Sequence, residues 1–201
     1  MSATAATTKH KKPREIPDYL IYEMDEGTPI YYRGYQAVLN KTKTPEEIMG
    51  SSALQSLLVM LIMDALKVQL NENYLRLPAE LGLKFADKSW RNLDIAIYDK
   101  RNITDKNIFL VNKYIEIAPQ IVIEIDTKAE LNELPDPASY FQRKTDQLLS
   151  AGVERVIWIF TATEKHLVAV QNAKWEMDNW SADIAVLEDV RINIKDLLNL
   201  F

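Results

Sequence analysis

The chain has 201 residues, 47% of them hydrophobic, with a formal net charge of −5 and no cysteine. That length and apolar content suit one compact core, and the acidic balance argues against a chain built to coat nucleic acid nonspecifically, although a local basic cleft is compatible with it. The lack of cysteine excludes disulfides, thiolate catalysis and cysteine-ligated metal centres, and two distant histidines, His10 and His166, give no basis for a multi-imidazole zinc site.

In chain order, residues 1–15 combine small polar residues with Lys9, Lys11, Lys12 and Arg14 and read as a disordered basic tail. No apolar segment follows it, so it does not read as a secretory signal. Residues 16–201 read as a single domain. YLIYEM and PIYYRGY predict two short strands around an EGTP turn. TPEE then starts a helix, with Thr44 as cap, Pro45 at the first helical position and Glu47 completing a capping box. The helix breaks near Gly50 and resumes at Ser51 or Ser52. Beyond that point Leu54, Leu57, Leu58, Leu61, Ile62 and Ala65 recur at helical spacing, a wide stripe suited to lying on a sheet. Gln55, Asp64 and Lys67 interrupt this apolar region, which falls short of the roughly 20 residues of a membrane span. A soluble cytoplasmic protein is the expectation.

YLRLPAELGLKF predicts strand, turn, strand, with Pro78 and Gly82 as breaks. NLDIAIYD and IVIEID are the clearest strands, separated by the polar connection KRNITDKN. ELPDPAS is a second connection, leading into a helix across SYFQRKTDQLLSAGV that Gly152 ends. VERVIWIF follows at once, and this strand–helix–strand order predicts parallel pairing through a helical crossover. HLVAV predicts a hairpin with VIWIF. The last segment, IAVLEDVRINIKDLLNLF, reads as one or two edge strands and a short helix.

The chemistry concentrates at IVIEIDTK, where Glu124 and Asp126 interrupt an apolar run. Desolvating carboxylates in a buried strand is costly unless a cation or hydrogen-bond donors receive them. Alternation puts Val122, Glu124 and Asp126 on one face and groups Asp94 with Ala96 and Tyr98 on the preceding apolar strand. If the two strands are neighbours, Asp94 and Glu124 converge on one cation, with the backbone carbonyl of residue 125 as a further oxygen. Oxygen donors of this kind suit Mg²⁺ or Mn²⁺. Lys144, on the following helix, is the best-placed cation, set to touch phosphate, orient water or compensate the carboxylates, with Lys128 an alternative in a loop. Glu23 adds a possible fourth carboxylate, and Gln55 and Gln147 are candidates for polar contacts. The competing structural reading has Asp126 ending its strand at solvent, Glu124 paired with an arginine and Asp94 bound to local amides. Phosphate-cradling glycine runs, a dinucleotide fingerprint and a serine elbow are all missing from the sequence. Glycoside hydrolysis by paired acids leaves the lysine unexplained.

YEMDEG, NLDIAIYD, IVIEID, RKTDQLLSAGV and VIWIF, in this order and spacing, resemble the PD-(D/E)XK nuclease superfamily. In particular they resemble the small bacterial family assigned as restriction endonucleases and abundant in cyanobacteria, over about Tyr19 to Val170. The resemblance implies an α/β, restriction-endonuclease-like fold with a mixed central sheet flanked by helices. It also implies an endonuclease that hydrolyses DNA phosphodiesters with Mg²⁺, Mn²⁺ being possible. Asp94 is then the first metal ligand and Glu124 the second; Asp126, which alternation puts on the face of Glu124, is a third candidate ligand from the residues themselves. Glu23 matches the amino-terminal acid, and Lys144 the lysine that some families move to the next helix. The sequence departs from the pattern at three places. Asp126 stands where the strand lysine is usual, Leu93 replaces the proline before the aspartate, and IDTKAE lacks Ser-Pro. A symmetric homodimer would let a nuclease of this size address both strands. The rival is a noncatalytic nucleic-acid or protein interaction domain that keeps the fold.

Overall fold

The computed structural model describes residues 15–110, 113–134 and 136–200, apart from the side chain of Ala79. The expected basic tail lies outside the described residues except for Glu15. The amino-terminal hairpin pairs β1 (Ile21–Asp25) with β2 (Thr28–Tyr31). Two one-turn helices follow, α1 (Tyr35–Leu39) and α2 (Pro45–Met49). At the start of α2 the backbone N–H of Thr44 donates to Glu47 Oε2 at 2.7 Å, satisfying one amide that the helix end leaves free. The chain breaks at Gly50 and re-enters a helix, α3 (Ala53–Gln69), whose N-cap Ser52 accepts from the Gln55 amide.

A long hairpin comes next, β3 (Tyr74–Ala86) and β4 (Ser89–Asp99). The expected break within YLRLPAELGLKF is absent, and β3 runs straight through Pro78 and Gly82. Its register against β4 shifts between Pro78 and Leu81, and Glu80 takes a φ of 53°. A bulge therefore absorbs the irregularity without ending the ladder. Gly82 serves a close approach: a Cβ there would stand 1.7 Å from the Tyr114 ring.

β5 (Ile121–Ile125), α4 (Pro137–Ser150) and β6 (Arg155–Phe160) form the predicted crossover unit, with β5 and β6 parallel and Glu124 opposite Trp158. Asp136 caps α4 and Pro137 occupies its first turn. The chain leaves the helix through Gly152, at a φ of 105°. β7 (Lys165–Val170) pairs antiparallel with β6, and β8 (Glu176–Asn179), for which the sequence gives no apolar alternation, adds a further antiparallel strand. The chain ends in a separate two-stranded ribbon, β9 (Ile184–Ala185) with β10 (Arg191–Ile192), and α5 (Ile194–Asn199).

The main sheet runs β2-β1-β4-β5-β6-β7-β8, with β3 on β4. Period-two alternation divides its side chains between two apolar layers. Ile95, Ile97, Ile121, Ile123, Ile125, Ile157 and Ile159 pack with Leu58, Ile62 and Leu66 of α3. Ala96, Tyr98, Val122, Val156 and Trp158 pack with Tyr140, Leu148 and Leu149 of α4. The buried face of α3 is narrower than the predicted stripe, for Leu54 is 38% exposed and Gln55 takes an interior place. Among the described residues no helix is long and apolar enough to cross a membrane.

His166, on β7 opposite Asp178 of β8, is buried, and its Nδ1 has no hydrogen-bond partner. Burial lowers its pKa from the usual 6.5, outweighing the opposite pull of Asp178. The unfolded chain therefore takes up the proton first, so this contribution is present above that value and is lost as pH falls through the depressed one. Between about pH 7.5 and 5.5 the wild type should lose more urea-unfolding free energy than His166→Gln does.

Candidate active site

The site forms where β4 changes neighbours. One edge of β4 meets β1 at Trp90 and β5 from Ile95 onward. In the interval, side chains take over the backbone groups of Asn92. Its N–H donates to Glu23 Oε1 at 3.1 Å, and its carbonyl accepts from Lys144 Nζ at 2.7 Å. Lys144 arrives from α4, on the face that packs on Trp158, with Nζ 5.5 Å from the centroid of that ring.

Lys144 is 0% exposed. Its ammonium lies 2.8 Å from Glu23 Oε1 and 3.0 Å from Glu124 Oε2, besides its bond to Asn92. An ammonium has three N–H donors, and all three are used. Burial alone would lower its pKa, but Glu124 and Glu23 outweigh that and hold it well above the usual lysine range. The other oxygen of Glu23 accepts from Arg91 at 3.1 Å and from the Tyr140 hydroxyl at 2.8 Å. Arg91, 1% exposed, continues to Asp25 at 3.2 Å and to Gln147, and Arg143 closes on Asp25 at 2.5 Å. Glu23 is thus locked between two cations.

Glu124 and Asp94 are less fully compensated. Glu124 is 1% exposed, and its Oε1 is buried without any hydrogen-bond partner. Burial raises its pKa well above the usual carboxylate value; Lys144 opposes this, and Asp94 and Glu23 add to it. Asp94 accepts the Ile125 amide at 2.7 Å and the Gln55 side-chain amide at 3.3 Å. Burial raises its pKa too, against the pull of that backbone bond and of Lys144. An orphaned carboxylate oxygen beside a second raised carboxylate is a place where a cation fits. Among the described residues, however, no group of three or more histidine, cysteine, aspartate or glutamate side chains is arranged to hold a metal ion.

Of the residues singled out in the sequence, Glu23, Glu124 and Lys144 meet through the Lys144 ammonium. Asp94 joins them through the Ile125 amide and the mutual repulsion with Glu124. Asp126 does not join them. The strand ends at Ile125, Asp126 turns into the left-handed region at a φ of 56°, and alternation stops there. Its carboxylate binds the Thr161 amide at 2.9 Å and the Thr161 hydroxyl at 2.5 Å, which ties the end of β6 to that of β5. Lys128 is paired with Glu80 and the Met49 carbonyl. Arg91 and Tyr140 went unnoticed in the sequence. An arginine in a strand looks solvent-facing, and only its neighbour Glu23, far away in the chain, marks it as interior.

The mixed sheet with α3 on one face and α4 on the other defines an α/β fold of restriction-endonuclease-like type. No family model matches the chain, and comparison with curated proteins finds no match. Among solved structures five chains match. One of them, from Anabaena variabilis ATCC 29413, is described as "a putative nuclease belonging to DUF820". It aligns with a TM-score of 0.60 at 20% identity, over 88% of this chain and 89% of that one. The likeness is one of fold.

Proposed function

We propose that this cluster is the active site of a divalent-cation-dependent endonuclease that hydrolyses DNA phosphodiesters, using Mg²⁺ with Mn²⁺ as a substitute. The observation that carries the reading is the buried, unpartnered Oε1 of Glu124 beside Asp94. Asp94, Glu124 and the Ile125 carbonyl are the groups that would hold the ion. When bound, such an ion lowers the pKa of an attacking water and neutralises charge on the phosphoryl group.

The protein's own groups then have distinct roles. Lys144 fixes Glu124 by its Oε2, which leaves Oε1 free, and it has no N–H left for phosphate or water. Its role is to position Glu124, in place of the contact with water and phosphate expected from the sequence. Glu23 holds Lys144 in place and is itself held by Arg91 and Tyr140. Asp126 stands outside the cation set. A two-fold dimer would present two such sites to the two strands of a duplex.

A binding-only reading draws on one observation, the complete burial of Lys144 with every donor engaged. Cleavage of plasmid, single-stranded and branched DNA, with Mg²⁺, Mn²⁺ or chelator, separates the two. The wild type should cleave only with metal and Glu124→Ala should not cleave. Metal-dependent cleavage that survives in Glu124→Ala would refute the site assignment, and DNA binding without turnover in both proteins would favour the binding domain.

A further inference from the structure

Gln55 is the polar member of the buried face of α3. Its place in the first turn is set by Ser52, whose hydroxyl accepts the Gln55 backbone N–H at 3.1 Å. The side-chain Nε2 lies 3.3 Å from each carboxylate oxygen of Asp94 and 3.2 Å from the carbonyl oxygen of Ile125. An amide NH₂ has two donors, so three acceptors share two N–H groups, at distances at or just beyond the long end of the normal range. Those three oxygens are the ones that, with Glu124, face the proposed cation. The donor end of one amide thus supplies the partial positive charge at the point where they converge.

We infer that Gln55 is a ligand of the divalent cation, binding through Oε1 once its amide turns over, while in the cation-free protein its Nε2 keeps Asp94 and Ile125 in position. The inference rests on the cation reading of Asp94 and Glu124. Rotation about the last side-chain bond exchanges Oε1 for Nε2 without moving α3, and that torsion is broad and roughly two-fold. Hard divalent ions accept an amide oxygen together with carboxylates. Gln55 then brings α3 into a site otherwise made by β4 and β5, and it supplies an oxygen without adding a further buried negative charge.

The test is Mn²⁺ binding, read as free ion by electron paramagnetic resonance, in chelator-stripped wild type, Gln55→Glu, Gln55→Leu and Asp94→Asn. Thermal unfolding checks each fold. Gln55→Leu should bind about tenfold or more weakly, and Gln55→Glu about tenfold or more tightly. Gln55→Glu should also melt below the wild type without metal and recover when Mn²⁺ is added, because a third carboxylate is buried there. If Gln55→Leu binds as well as or better than the wild type while Asp94→Asn does not bind, Gln55 is not a ligand and the cation site stands. If neither the wild type nor Gln55→Glu binds more than Asp94→Asn does, the cation site falls and this inference with it.

Discussion

Lys144→Met is expected to lose about 3–5 kcal/mol of unfolding free energy, the usual cost of removing one partner from a buried ion pair. Methionine fills the volume of the lysine stem, so the loss is electrostatic. Glu23 keeps Arg91 and Tyr140, but Glu124 loses its hydrogen-bonded cation while 1% exposed. The pH dependence of the deficit separates this cause from a packing defect. Glu124 already has a raised pKa in the folded protein, and removing Lys144 raises it further. A carboxyl whose folded pKa is raised stabilises the fold while protonated, below its ordinary value, and loses that contribution as pH rises through the folded one. The deficit of Lys144→Met should therefore shrink on acidification, and the double variant Lys144→Met with Glu124→Gln should regain part of the stability at neutral pH. Urea unfolding at several pH values reads both effects. A deficit that ignores pH and is not relieved by Glu124→Gln would mean that the ammonium is not the group compensating Glu124.

Asp94→Asn carries the largest expected effect on activity. The substitution keeps the side-chain shape, and an amide oxygen can still accept the Ile125 N–H that Asp94 accepts at 2.7 Å. It removes one of the two carboxylates that carry the proposed ion. Lewis-acid stabilisation by a metal is worth several kcal/mol, and each factor of ten in rate is about 1.4 kcal/mol. Metal-dependent cleavage should fall by about a thousandfold or more. Folding should be retained, because Asp94 is a group whose burial disfavours its charged form and the amide carries none. Initial rates of plasmid nicking, with a urea melt of the same preparation, check both parts. Nicking within tenfold of the wild type would take Asp94 out of the site.

The parts of the fold that follow from short-range pattern are legible in the chain. The near-continuous apolar runs of Ile121–Ile125 and of the second half of β4 mark strands buried on both faces. Gly152 marks the end of α4, and the strand–helix–strand order carries the parallel pairing of β5 with β6. Pattern was less informative where a local signal and a tertiary one disagreed. Pro78 and Gly82 look like breaks, yet pairing with β4 holds β3 together around a bulge. β8 is exposed at all four residues, so no apolar alternation announces it. Asp126 shows the reverse failure, for the alternation that groups it with Glu124 assumes an extended backbone and a positive φ ends that assumption. Within the site, the carboxylates and Lys144 stand out because charge in an apolar setting needs a partner. Arg91 and Tyr140 are hidden, because their partner Glu23 lies 68 and 117 positions away.

The most direct measurement is a crystal of the wild type grown or soaked with Mn²⁺ and examined by anomalous scattering at the manganese edge. One anomalous peak is expected in contact with the carboxylates of Asp94 and Glu124 and the carbonyl of Ile125, with Glu124 still held by Lys144. A crystal with manganese bound only elsewhere, and Glu124 Oε1 left without a metal contact, would contradict the proposed cation site.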